Sequence, residues 1–159
     1  ITNHMKVYID KNDLVKGNWL TKKSEYNNFG GNGNNTPPKL SWEDLPQETK
    51  SLAVTLYDKD APTGSGFWHW IVINIPKESN ELTLNQSLEY TNIKNDFGHL
   101  GYGGACPPEG DSKHLYQFTI HALDIERLEI GEDTPNAIVR FMINNHTVEK
   151  ISIDTYYQR

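Results

Sequence analysis

Two short stretches hold most of the residues that could do chemistry: Asp58-Lys-Asp-Ala-Pro62 running on to His69-Trp70, and Gly103-Gly-Ala-Cys-Pro-Pro108 running on to His114-Leu-Tyr116. Asp58 and Asp60 stand two apart, so in extended chain their side chains point the same way. Three chemistries fit them. One is a solvated turn whose carboxylates bond local backbone. The second is a divalent-metal site, although the loop lacks the further oxygen ligands that Mg²⁺ or Ca²⁺ require. The third is a carboxylate that orients a histidine and raises its pKa. His69 favours the third. It lies in Trp68-His-Trp70, the most apolar part of the chain, where an unpaired imidazole is costly. An Asp–His69 pair is therefore expected, with a satisfied core histidine as the alternative.

In the second stretch Gly103-Gly104 and Pro107-Pro108 bracket Ala105-Cys106. Glycines allow positive φ and exposed N–H groups, and prolines hold the shape, so the turn reads as an anion nest. No Gly-Lys-Ser/Thr follows, so it is not a P-loop. Cys106 as a nucleophile would need His69 or His114 as its base; packing as a small side chain is the competing reading. His114 and Tyr116 head a strand and share the face of Phe118, the phenol able to donate to a phosphate oxygen and the imidazole to donate or accept. Neither stretch contains arginine. An anion held there would rest on histidine, tyrosine and backbone N–H groups. His121 falls on the opposite face and His146 follows a helix; both read as structural.

The elements that must position these residues are mostly strands. The patterns at 5–9, 51–57, 67–75, 115–123 and 148–157 predict strands, with 67–75 apolar enough to be central. Thr134-Pro135 reads as an N-cap followed by proline at the first helical position, opening a helix to about Asn144 with an apolar stripe of Ile138, Phe141 and Met142. Residues 24–42, rich in Asn, Gly and Pro, read as a long ordered loop anchored by Leu40 and Trp42. The sum is one strand-dominated domain over 5–159. Ile1–His4 read as a remnant ahead of a natural start at Met5.

Composition narrows the function classes. A chain of 159 residues buries a sizeable core without staples, and one cysteine excludes an internal disulfide. A net charge of −6 argues against nucleic acid and anionic membrane surfaces as partners. No apolar run approaches the ~20 residues of a membrane span, and a reduced, cytoplasmic setting fits. No cofactor or metal is called for.

Taken in order, these motifs resemble the phosphatidylethanolamine-binding protein family, in its bacterial and archaeal Raf-kinase-inhibitor-like branch. Gly33–Trp42 resembles its early G-x-N-x-S-P-x-L-x-W signature. Asp58–Pro62 resembles D-P-D-A-P, His69–Pro76 resembles H-W-x-V-x-N-I-P, and Tyr102–Pro108 with His114–Tyr116 resembles Y-x-G-P-x-P-P…H-R-Y. The resemblance implies a large antiparallel sheet packed on a smaller one with short flanking helices. It implies a pocket for small phosphate-bearing or other anions formed by Asp58, His69, the backbone around Ala105 and Cys106, Pro107, His114 and Tyr116. Asp60, Pro62, Trp70, Gly103, Gly104 and Pro108 would support it. The activity implied is non-enzymatic binding; inhibition of a partner kinase or protease is the alternative, and a Cys/His or carboxylate–metal hydrolase is a third reading. A homodimer is among the assemblies left open. Lys59, Ala105 and Leu115 depart from the pattern, Leu115 replacing an arginine that would pair near the site. The eukaryotic branch's additional C-terminal helix has no counterpart after the last strand, which weakens any transfer of kinase regulation.

Overall fold

β-Branched and alternating apolar sequence becomes sheet in four long strands, and these carry the molecule. The computed structural model describes residues 4–131 and 133–159, so most of the leading segment 1–4 lies outside the described residues. The strands are β1 (Lys6–Ile9), β2 (Leu14–Val15), β3 (Trp19–Leu20), β4 (Leu40–Glu43), β5 (Ser51–Asp58), β6 (Phe67–Pro76), β7 (Glu81–Leu82), β8 (Thr91–Asn92), β9 (His114–Leu123) and β10 (Thr147–Tyr157). The helices are α1 (Leu84–Ser87) and α2 (Asn136–His146). Seven strands form the large sheet in the order β2-β3-β10-β9-β5-β6-β8, and β1-β4-β7 form the small one. The mainly β, two-sheet architecture is as expected, with β10 running parallel to β3.

The core sits on both faces of the large sheet, which explains the near-continuous apolarity of β6. On one face Leu52, Leu56, Trp70, Phe118 and Ile120 pack against Leu40, Trp42 and Leu82 of the small sheet. On the other, Ala53, Ile71 and Ile73 pack under Val139 and Ile143 of α2. Among the described residues no helix is long and apolar enough to cross a membrane.

Three expectations need correction. The loop ends earlier than Trp42, because Leu40–Glu43 pairs with β1 as a strand; Leu40 and Trp42 are nonetheless buried anchors. Pro135, with extended ψ of 141°, is itself the cap of α2, which begins at Asn136. The apolar stripe is Val139 and Ile143, with Met142 at its edge, while Ile138 and Phe141 are exposed. With 3.6 residues per turn, Phe141 lies about 200° round the helix from Val139 and cannot share its face.

Register sets the functional end of the sheet. Asp58 stands opposite both Tyr116 and Phe67, and His114 opposite Tyr157. The last residues of β5 and the first of β6 and β9 thus meet at one edge.

Candidate functional site

Asp58 is buried at the end of β5 and its partner is His114, not His69. His114 donates Nδ1–H to Asp58 Oδ2 at 2.7 Å and Nε2–H to Asp111 Oδ2 at 3.0 Å. An imidazole with a carboxylate on each nitrogen is suited as the imidazolium. Burial opposes its charge, yet the hydrogen bonds and charges of Asp58 and Asp111 outweigh burial and hold its pKa above the ordinary 6.5. The second oxygen of Asp58 accepts the Asp60 N–H at 2.8 Å, and Asp60 Oδ2 accepts the Leu115 N–H at 2.8 Å. The Leu115 bond is the main reason Asp60 titrates below its usual range. Asp60 therefore shapes the loop and ties it to β9.

His69 reaches the site through a bulge. Pairing runs Leu56 to Trp70 and then Tyr57 to Trp68, so His69 is the extra residue on β6. Bulges re-aim side chains beside functional sites. The ring of His69 stands 5.4 Å from that of Tyr116, tilted 67°, and Nδ1 donates to the Gly103 carbonyl at 2.7 Å. That bond fixes the tautomer and leaves Nε2 as an acceptor. Burial holds the His69 pKa below 6.5, only partly offset by the Gly103 carbonyl and the Asp58 charge. Phe67 and Phe97 close around it, Phe97 edge-on at 5.4 Å.

Tyr116 lies between the two imidazoles, its ring stacked 6.3 Å from that of His114. Burial and then the Asp58 charge raise its pKa far above 10, and the Cys106 N–H acts in the opposite sense. The hydroxyl thus sits near Asp58 and the Cys106 amide. Both stand close enough to act on its titration, but neither contact meets hydrogen-bond distance and angle, and among the described residues the hydroxyl has no partner.

The glycine turn works differently from a nest. The Gly103 N–H goes to the His69 carbonyl, that of Gly104 to Asn35 Oδ1, and that of Ala105 to the Ser24 carbonyl. These glycines are required by close approach: a Cβ on Gly103 would stand 2.5 Å from Phe97, and one on Gly104 2.5 Å from the Ser24 carbonyl oxygen. Only the Cys106 N–H of this run is left facing the phenol. The Cys106 thiol turns away, towards the carbonyls of Phe29 at 3.5 Å and Asn28 at 3.7 Å, and burial raises its pKa. No thiol–imidazole pair is assembled. Among the described residues no three His, Cys, Asp or Glu side chains are grouped to hold a metal. Clefts of about 640 and 860 Å³ are lined by other regions.

A family profile described as phosphatidylethanolamine-binding protein matches residues 10–158. The chain belongs to that family. Among its relatives, the UPF0098 proteins YbcL and YbhB of Escherichia coli are 40% and 41% identical, covering 94% and 92% of this chain and 86% and 96% of theirs. The crystal structure of E. coli YbcL, described as a new member of the mammalian family, gives a TM-score of 0.89 at 38% identity over 98% of both chains. A putative family homologue from Chlamydia trachomatis gives 0.83 at 26% identity over 99% of both.

Within the family pattern, the structure accommodates each departure. Lys59 makes an exposed contact to Asp60 at 3.3 Å, Ala105 is fully buried, and Leu115 contributes its N–H to Asp60. A guanidinium comes to the turn from elsewhere: Arg159 donates Nε–H to the Pro107 carbonyl at 2.7 Å and Nη1–H to that of Gly30 at 3.0 Å. Sequence reasoning missed Arg159, Asp111, Phe97 and Asn35. Asn35 clamps the Asn/Gly loop to the turn, accepting from Gly104 and donating to the Tyr102 carbonyl at 3.1 Å. Its place in the Gly33–Trp42 signature was the available signal. Asp111, three residues before His114, had only that spacing to offer. His121 and His146 bond Thr147 and Asp124, away from the site.

Proposed function

We propose that the chain is a non-enzymatic binding module for small phosphate-bearing anions, free or as headgroups. The observation that carries this reading is the Tyr116 hydroxyl, wholly buried and unsatisfied by protein, since such a group costs about 1–3 kcal/mol unless something bonds it. A phosphate oxygen accepting from Tyr116 and the Cys106 N–H would satisfy it. His69, its ring 5.4 Å from that of Tyr116, keeps Nε2 as an acceptor, so it suits a phosphate monoester that still carries one proton. The alternative is a protonated His69 donating to the dianion.

Either arrangement takes up one proton. Above the ligand's second pKa of about 6 the affinity therefore rises about tenfold per unit fall in pH, and it levels off below. This differs from a site whose histidines are both readily cationic, because burial holds the His69 pKa below its ordinary value. Calorimetric titration of O-phosphorylethanolamine at pH 7.5, 6.5 and 5.5 measures the slope. A flat profile, unchanged in His69→Ala and Tyr116→Phe, would discard the reading.

A second reading, contact with a partner kinase or protease, draws on Phe29. It is 70% exposed at φ +50° on the Asn/Gly loop, its ring 5.9 Å from that of Phe97 beside the site. Release of a bound partner by phosphate, lost in Phe29→Ser, would favour it.

A further inference from the structure

His114 is held from two sides by carboxylates that differ in kind. Asp58 lies beneath it with 3% of its side chain exposed, whereas the Asp111 side chain is 43% exposed. Asp111 belongs to the loop between Pro108 and β9, which its backbone fastens: its N–H bonds the Pro108 carbonyl at 3.2 Å and its carbonyl accepts from Gln158 at 3.0 Å. Its carboxylate has one hydrogen-bond partner among the described residues, His114 Nε2. The backbone can stay in place while the side chain swings off. A carboxylate oxygen on the outer N–H of a buried imidazolium is also what a bound anion would present there.

We propose, resting on the phosphate-binding reading above, that Asp111 is an intramolecular competitor for the site and sets its ligand selectivity. An external anion gains His114 Nε2–H only by displacing a carboxylate tethered at high effective concentration. A small monocarboxylate offers His114 the same single bond without the tether, so it is excluded. A phosphate group carries oxygens beyond the one on His114, and further donors and acceptors stand nearby, the ring of Tyr116 lying 6.3 Å from that imidazole and 5.4 Å from that of His69. Bonds to those groups are what displace Asp111. The selectivity thus lies in a residue that never touches the ligand once it is bound.

The test titrates inorganic phosphate and acetate, separately, into wild type, Asp111→Asn, Asp111→Ala and Glu109→Gln. Long-range ¹H–¹⁵N spectra of the imidazoles locate the binding. Glu109 is exposed in the same loop, so its variant removes the same charge away from His114. Both Asp111 variants should bind phosphate about tenfold or more tightly than wild type and admit acetate at His114 Nε2. Glu109→Gln should change phosphate affinity less than about twofold, because an exposed charge is screened. Equal gains in Asp111→Asn and Glu109→Gln would overturn the proposal by reducing it to net charge. So would phosphate binding to wild type that depends on Tyr116 but is unaffected by Asp111→Asn; that result leaves the phosphate reading standing. Failure of every variant to bind phosphate would sink both.

Discussion

Strand β9 carries a buried histidine near each end, His114 at 3% exposure and His121 at 5%. They differ in every other respect. His114 shares the face of Tyr116 and Phe118 and lies between two carboxylates. His121, an odd number of residues on, faces the other side, opposite Lys150 on β10. Its Nδ1–H donates to the Thr147 hydroxyl oxygen at 3.0 Å, because that hydroxyl is itself donating to the Ile143 carbonyl. Burial and the Lys150 charge lower its pKa to about 4, whereas His114 is raised. Their solvent exposure is nearly the same, so exposure alone does not decide charge. What separates the two is the pair of carboxylates that reach His114 from the end of β5 and from the Pro108–Lys113 loop, against burial and the Lys150 charge at His121. The site is the end at which this sheet accepts buried ionic groups.

Breaking the ionic end should produce the largest effect. Asp58→Ala leaves a buried imidazolium with one half-exposed partner, and loss of one member of a buried pair costs about 3–5 kcal/mol. Urea unfolding at pH 6 reads it; a loss below about 1 kcal/mol would mean that solvent can replace Asp58 and that the two ends are not distinct. A group whose folded pKa is raised stabilises fully below its unfolded pKa and loses that contribution as pH climbs through the folded value. The deficit of Asp58→Ala should therefore shrink as pH rises past the folded pKa of His114.

The other end has the opposite sign. His121 is depressed to about 4. Between about 6.5 and 4 the unfolded chain therefore binds the proton first, and stability falls as pH falls. The full loss is about 3 kcal/mol. It should appear as a difference between wild type and His121→Gln in unfolding free energy measured from pH 7 to pH 4. A difference that does not change across that range would place His121 in a solvated setting. His69, also depressed by burial, adds to the same acid sensitivity and is present in both proteins.

How far the sequence reveals this contrast depends on the residue. Alternation puts Tyr116 and His121 on opposite faces of one strand, and the strands expected at 51–57 and 67–75 follow from their β-branched and apolar content, each ending one residue short of the observed strand. Proximity in the chain then misled, since Asp58 is eleven positions from His69 and fifty-six from His114. Sheet register, which brings the end of β5 opposite the start of β9, overrides that closeness. The bulge at His69 was equally hidden, because a one-residue slip leaves an all-apolar stretch looking the same. In the sequence Gly103 and Gly104 suggest free N–H groups, whereas what they supply is room for Phe97 and the Ser24 carbonyl. The stripe on α2 failed because two apolar sets, Ile138–Phe141–Met142 and Val139–Ile143, both satisfy helical spacing, and only the underside of the sheet selects between them.

The finest test of the comparison moves one imidazole without touching its hydrogen bond. Lys150 is exposed and stands directly across from His121 on β10, and its charge is the second cause, after burial, of the depressed pKa there. Lys150→Gln removes that charge and keeps the Thr147 bond, so the His121 pKa should rise towards its ordinary value and the acid loss should shrink by a few tenths of a kcal/mol, the scale of a screened surface charge. NMR titration of the His121 ring protons reads the shift directly, with His114 as the internal control that should not move. If His121 stays where it was, burial alone sets its charge state. The contrast between the two ends of β9 would then rest wholly on the carboxylates around His114.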